Sequence, residues 1–132
     1  MTAYGPHLTL DLQNCNRKKL EDLDFIFKVL DKLPATIGMT KITAPYVFKY
    51  TEGVVPDDWG ITGFVIIAES HISIHTYPTK NYVFIDVFSC KDFDTEEATK
   101  IIIKAFEAKK VEKHVVQRGI GFPRKEALVK QV

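Results

Sequence analysis

Between Ala68 and Pro78 the chain reads Ala-Glu-Ser-His-Ile-Ser-Ile-His-Thr-Tyr-Pro, and Cys90 follows His75 by fifteen residues at the end of an apolar run. Three kinds of reactive side chain therefore fall within one hairpin's length. Ser70 offers a hydroxyl that can attack a neighbouring carbonyl, His71 and His75 offer imidazoles that can take up a proton, and Cys90 offers a thiol that can return one. Simpler roles compete with each. A Glu-Ser dipeptide is common, imidazoles often fill a solvated strand face, and a free cysteine often serves as a small buried hydrophobe. In a regular strand Ser70 and His75 are an odd number apart and point to opposite faces, so joint action requires a bulge or turn near Ser70.

The elements that must position these groups alternate strand and helix without linker, repeat or low-complexity segment. Leu8, Leu10 and Leu12 alternate with polar residues as in a half-buried strand. Leu20, Leu23, Phe27 and Leu30 recur at helical spacing, which predicts a helix over 17–33 that Pro34 ends. Strands are expected at 40–50, at 61–75 with a break near its middle, and at 82–90, joined by turns at 53–60 and 78–81. Asp94 and Glu97 form a capping-box pattern ahead of the stripe Ala98, Ile101, Ile102, Ala105 and Phe106, and 111–117 reads as a last strand.

Two helices separated by three antiparallel strands predict an α+β fold, a two-layer sandwich of one antiparallel sheet with both helices on one face. Phe48, Phe64, Phe84 and Phe88 exceed what a single helix-covered face accommodates. The other face is therefore expected to pack on that of a second copy, sheet to sheet, in a dimer.

With 132 residues, 45% hydrophobic and 27% charged, the chain is expected to form one domain over residues 1–132. No apolar run approaches the ~20 residues that cross a bilayer, and no signal-peptide pattern opens the sequence, so a cytoplasmic protein without a membrane partner is expected. Cys15 and Cys90 are too few for a disulfide framework or a four-thiolate metal site; both are expected as free thiols, and no metal is called for. Cations concentrate after residue 100, but Lys100, Lys104, Lys109 and Lys110 lie on or beyond the polar side of a helix without interleaved aromatics. That argues against a nucleic-acid surface.

The run Glu-Ser-His-x-x-Ile-His-Thr-aromatic-Pro, together with Asp86-Val87-Phe88-Ser89-Cys90, closely resembles the processing site of the small prokaryotic S-adenosylmethionine decarboxylases, and the likeness extends over residues 5–118. The resemblance implies a pyruvoyl enzyme that makes its own cofactor. Attack of the Ser70 hydroxyl on the Glu69 carbonyl gives an ester by N-to-O acyl shift. β-Elimination then leaves dehydroalanine, which hydrolyses to a pyruvoyl group. The resemblance makes Ser70 the pyruvoyl precursor that forms the Schiff base, His75 the processing base, Thr62 the processing hydroxyl and Cys90 the proton donor to the product carbon. Glu69 becomes the end of a β chain, 1–69, ahead of an α chain, 70–132, and no pyridoxal phosphate is required. The family's small members pair as dimers, so a homodimer of processed αβ protomers is implied.

The implied substrate is S-adenosylmethionine, decarboxylated for spermidine synthesis, and Tyr46, Phe48 and Tyr50 offer a face of rings to an adenine or a sulfonium. One position departs from the pattern: Thr79 stands where the family has a ribose-binding glutamate. The loop 51–59 also brings Asp57, Asp58 and Trp59, and acidic groups there suit a guanidinium or ammonium. Decarboxylation of arginine or ornithine is therefore the alternative substrate reading, and an unprocessed, inactive subunit partner is the alternative of another class.

Overall fold

The computed structural model describes residues 3–51 and 55–123. Six strands, β1 (Gly5–Gln13), β2 (Tyr46–Tyr50), β3 (Gly60–Ile67), β4 (Ser70–Tyr77), β5 (Tyr82–Ser89) and β6 (Lys110–Arg118), form one sheet in the order β2-β3-β4-β5-β1-β6. Every neighbouring pair is antiparallel. The helices are α1 (Arg17–Leu20), α2 (Leu23–Thr36) and α3 (Thr95–Phe106), and a 3₁₀ turn spans Pro78–Lys80. The α+β sandwich expected from the sequence is the observed fold, with an additional short helix.

The helix expected over 17–33 is two helices because two caps interrupt it. The Asn16 side chain accepts from Lys18 N–H (3.0 Å) and the Asp22 side chain from Phe25 N–H (3.1 Å), so a new helix starts at Leu23. This start sets the inward stripe of α2 as Ile26, Leu30 and Leu33; Leu23 and Phe27, expected inside, are exposed. Pro34 does not end the helix. It occupies the last turn, which runs on to Thr36. The strand expected over 40–50 shrinks to β2 plus one bridge between Lys41 and Ile67, because Pro45 lacks an N–H and holds Ala44 away from regular pairing.

Strand alternation divides the sheet into two unlike faces. Leu8, Leu10 and Leu12 of β1, Ile61, Val65 and Ile67 of β3, Ile72 and Ile74 of β4 and Val83, Ile85 and Val87 of β5 are buried with Ile26, Leu30, Ala98, Ile102 and Phe106 of the helices. Thr76 fastens α1 to this core: its buried hydroxyl donates to Leu20 O (2.8 Å) and accepts from Ile61 N–H (2.9 Å). The other face carries His71, Ser73, His75, Phe84, Asp86 and Phe88, with Phe48, Phe64 and Tyr46 toward the β2 edge. Large rings remain exposed there, Phe48 by 55% and Phe84 by 42%. Nothing in the chain covers that face among the described residues.

Candidate active site

The strand expected over 61–75 breaks at Ala68-Glu69, which form a two-residue turn between paired Ile67 and Ser70. The Glu69–Ser70 peptide therefore lies at the exit of a tight hairpin. Its surroundings fix it from two sides. Ala68 N–H donates to Thr40 O (2.8 Å), Thr40 N–H donates to Glu69 Oε1 (3.1 Å), and Lys91 Nζ lies 3.7 Å from Glu69 Oε2. Opposite, the backbone N–H of Cys90 donates to the Glu69 carbonyl oxygen at 2.8 Å. A donor at that distance can stabilise negative charge developing on the oxygen when the carbonyl is attacked. Buried Ser89 shapes the bend that aims this N–H, its Oγ donating to Lys91 O (2.7 Å) and accepting from Lys91 N–H (3.1 Å).

Ser70 has a φ of 159°, and the β3–β4 and β4–β5 registers run through it unbroken. Its Oγ lies 3.5 Å from the hydroxyl of Tyr4, whose ring packs 5.6 Å from that of Phe88 on the uncovered face. Ser70 Oγ thus meets a residue that packs on the face carrying His75, and no bulge separates the two positions along β4. The Cys90 side chain is half-buried, whereas burial of Cys15 pushes that thiol up to about 11. Tyr4, Phe88, Arg118, Gly119 and Phe122 enclose a cleft of about 360 Å³ at this end of the sheet.

His75 occupies the far end of β4. Its Nδ1 is 3.1 Å from Thr62 Oγ1 on the paired position of β3. Five residues of strand separate it from Ser70, roughly 16 Å at ~3.3 Å per residue. The chain therefore brings together Ser70, Glu69 and Cys90 at one end of the open face and Thr62 with His75 at the other, without joining the two groups.

Between them lies a cluster that sequence reading did not assemble. His7 Nε2 is 2.7 Å and His71 Nε2 3.4 Å from Asp86 Oδ2, and Ser73 Oγ donates to Asp86 Oδ1. These three acid and imidazole groups have the proximity of a metal site. Arg118 decides against that role for His7. The guanidinium, which can only donate, is 3.2 Å from His7 Nδ1, so Nε2 carries the proton and gives it to Asp86, leaving no lone pair for an ion. The same guanidinium lies 4.2 Å above the Phe88 ring centre.

The residues suggested for substrate contact are spread along the β2 side. Tyr46 stacks on Phe64 (5.5 Å) and lies 6.4 Å from Phe48, both rings exposed, and Trp59 sits beneath Lys49 Nζ at 5.6 Å. Asp58 is already paired with Lys80 Nζ (2.6 Å), which raises the lysine pKa, and Thr79 Oγ1 donates to Asp57 O (2.8 Å). With Tyr77, Tyr82 and Phe84, Asp58 and Lys80 line a cleft of about 310 Å³ at the His75 end. Part of the loop expected at 51–59, residues 52–54, lies outside the described residues, as does 124–132 of the expected α chain. Tyr4 was missed because no local pattern marks it; its contact with Ser70 spans 66 positions and arises only when β1 joins the sheet.

Among the described residues no helix is long and apolar enough to cross a membrane. The fold recurs in a known protein. A solved adenosylmethionine decarboxylase of Aquifex aeolicus superposes with a TM-score of 0.79 at 28% identity, over 95% of this chain and 98% of that one. Proteins named S-adenosylmethionine decarboxylase proenzyme are similar along nearly the whole sequence. That of Thermodesulfovibrio yellowstonii is 35% identical over 100% of this chain and 93% of its own length. One from Clostridium botulinum is 38% identical over 90% and 97%. The model of the S-adenosylmethionine decarboxylase family matches residues 6–119, which include the hairpin, the Cys90 bend and all six strands save Gly5 of β1. The chain belongs to the S-adenosylmethionine decarboxylase family, a family of carboxy-lyases.

Proposed function

We propose that the chain is the proenzyme of a pyruvoyl-dependent S-adenosylmethionine decarboxylase, acting in the cytoplasm in spermidine synthesis and maturing by cleavage between Glu69 and Ser70. The observation that carries this reading is the Cys90 N–H held 2.8 Å from the Glu69 carbonyl oxygen. That bond continues the β4–β5 register one position beyond the Ser70–Ser89 pair, and it leaves a donor on the carbonyl that an acyl shift attacks. The pyruvoyl group, once formed from Ser70, supplies an electron sink for loss of the substrate carboxylate. The surroundings of Ser70 suit it: the half-buried thiol of Cys90 can deliver a proton to the product carbon.

The site is completed by a second copy. His75 and Thr62 lie too far from Ser70 to act within one chain, yet they face the uncovered, aromatic side of the sheet, and Ser70 Oγ meets Tyr4, whose ring packs on that side. Packing two such faces together in a homodimer buries Phe48, Phe64 and Phe84 and sets the His75–Thr62 pair of one copy against the Ser70–Cys90 pair of the other. In that arrangement His75 is the processing base and Thr62 the hydroxyl that assists it. Tyr46, Phe48 and Trp59 then border the pocket as substrate contacts. The guanidinium reading is weaker, because Asp58 is already neutralised by Lys80.

Release of carbon dioxide from labelled S-adenosylmethionine, arginine and ornithine, measured in parallel, tests the substrate. Release from S-adenosylmethionine alone is expected; release from arginine or ornithine alone would move the assignment, and release from none would favour a silent partner subunit.

A further inference from the structure

Tyr4 is held with more care than a terminal residue outside a strand needs. Its N–H donates to both Arg118 O (2.7 Å) and Gly119 O (3.1 Å). Its ring lies 5.6 Å from Phe88 and meets Phe122 edge-on at 4.7 Å. Gly119 has a φ of +70°, and a Cβ placed there would come within 2.4 Å of Tyr4 Cβ, so the seat exists only because that residue has no side chain. Three segments, the stretch before β1, the end of β5 and the exit of β6, converge on one phenol.

Phenylalanine would satisfy every one of these contacts. What ring packing does not explain is the hydroxyl, which ends 3.5 Å from Ser70 Oγ, the atom on which maturation depends. The separation exceeds the 2.5–3.0 Å of a formed O–H···O bond, and catalytic hydrogen bonds often tighten only as reaction begins. We infer that Tyr4 is a positioning residue for self-cleavage, orienting the Ser70 hydroxyl toward the Glu69 carbonyl; this rests on the maturation reading given above.

When Ser70 Oγ–H is donated to the phenol oxygen, the serine lone pairs turn away from Tyr4 and become available to the carbonyl. In the step that follows, the bond from Oγ to the Glu69 carbonyl carbon forms and the bond from that carbon to the Ser70 nitrogen breaks. The hydroxyl proton ends on that nitrogen, and Tyr4 is unchanged. Cys90 N–H stabilises the oxygen while the carbon is tetrahedral. Tyr4 therefore acts before the ester exists, which separates its role from that of any base needed for elimination.

Time courses of cleavage by intact mass, from cell-free synthesis of the full chain, compare wild type with Tyr4→Phe and Gly119→Ala, with circular dichroism and thermal midpoint as folding controls. Tyr4→Phe is expected to fold as wild type and cleave about tenfold or more slowly, at the lower end of what a positioned proton partner contributes. Hydroxylamine, which cleaves the ester, should release no additional fragment from it. Gly119→Ala keeps the hydroxyl but displaces the ring, and should slow cleavage similarly. Wild-type cleavage by Tyr4→Phe, or a hydroxylamine-labile ester accumulating in it, overturns the inference. Slow cleavage by Gly119→Ala alone does so too, by making packing the cause. A wild-type chain that never cleaves overturns the maturation reading itself.

Discussion

The backbone N–H of Cys90 and the carbonyl of Glu69 are joined by a 2.8 Å hydrogen bond across the start of β4 and the end of β5. On the function proposed above, one residue carries two separable tasks, its main chain serving the cleavage and its side chain turnover. Cys90→Ala keeps the N–H and should mature normally, but it should lose activity progressively as protons reach the wrong carbon. Mass spectrometry of the subunits during turnover checks this; undiminished, durable activity would remove the thiol from the mechanism.

The roughly 16 Å between Ser70 and His75 makes a statement about assembly. Ser70→Ala and His75→Ala homodimers should each remain uncleaved or nearly so, with His75→Ala slowed by about 10²–10⁴-fold. Mixed dimers of the two variants contain one complete Ser70–Cys90/His75–Thr62 site and should cleave the His75→Ala chain, which retains Ser70. Intact mass after co-expression reads this directly, and absence of cleavage in mixed dimers contradicts a site shared between copies.

Thr76, part of the motif that marks the family, is structural. Its hydroxyl satisfies both Leu20 O and Ile61 N–H in the core. Thr76→Val leaves both groups without that partner and should destabilise the protein by about 1–3 kcal/mol, seen as a lower denaturant midpoint.

Asp11 and Glu112 stand directly opposite each other on β1 and β6. Burial, then a hydrogen bond to Glu112 and its charge, raise the Asp11 pKa, while His114 opposes the shift. A carboxyl that binds its proton more tightly when folded stabilises the fold below the unfolded value of about 3.8 and loses that contribution as pH rises through the folded pKa. Asp11→Asn should therefore melt higher than wild type at pH 7 and lose that advantage near pH 4. Thermal melts across this range test the sign; an advantage that grows toward acid would contradict it.

Much of this arrangement was legible in residue order because alternation and helical spacing record burial. The β1 leucines, the α3 stripe and its Asp94 cap, and the uncovered phenylalanine face follow from one-dimensional periods. The misread parts are places where a short-range device overrides the period: Asp22 restarting a helix, Pro45 delaying a strand, Ala68-Glu69 turning the chain. The Tyr4–Ser70 contact, the His7–Asp86–His71 cluster and the Cys90 N–H on Glu69 had no local signal, because each joins residues from different strands and exists only in the assembled sheet.

The central claim is that Ser70 cuts its own chain. Intact mass of the denatured, freshly purified protein tests it most directly. The account predicts two fragments, residues 1–69 and 70–132, the second lacking a free amino terminus and reacting with carbonyl reagents, and a single uncut chain for Ser70→Ala. A wild-type chain that stays whole, ignores carbonyl reagents and still decarboxylates its substrate would contradict it.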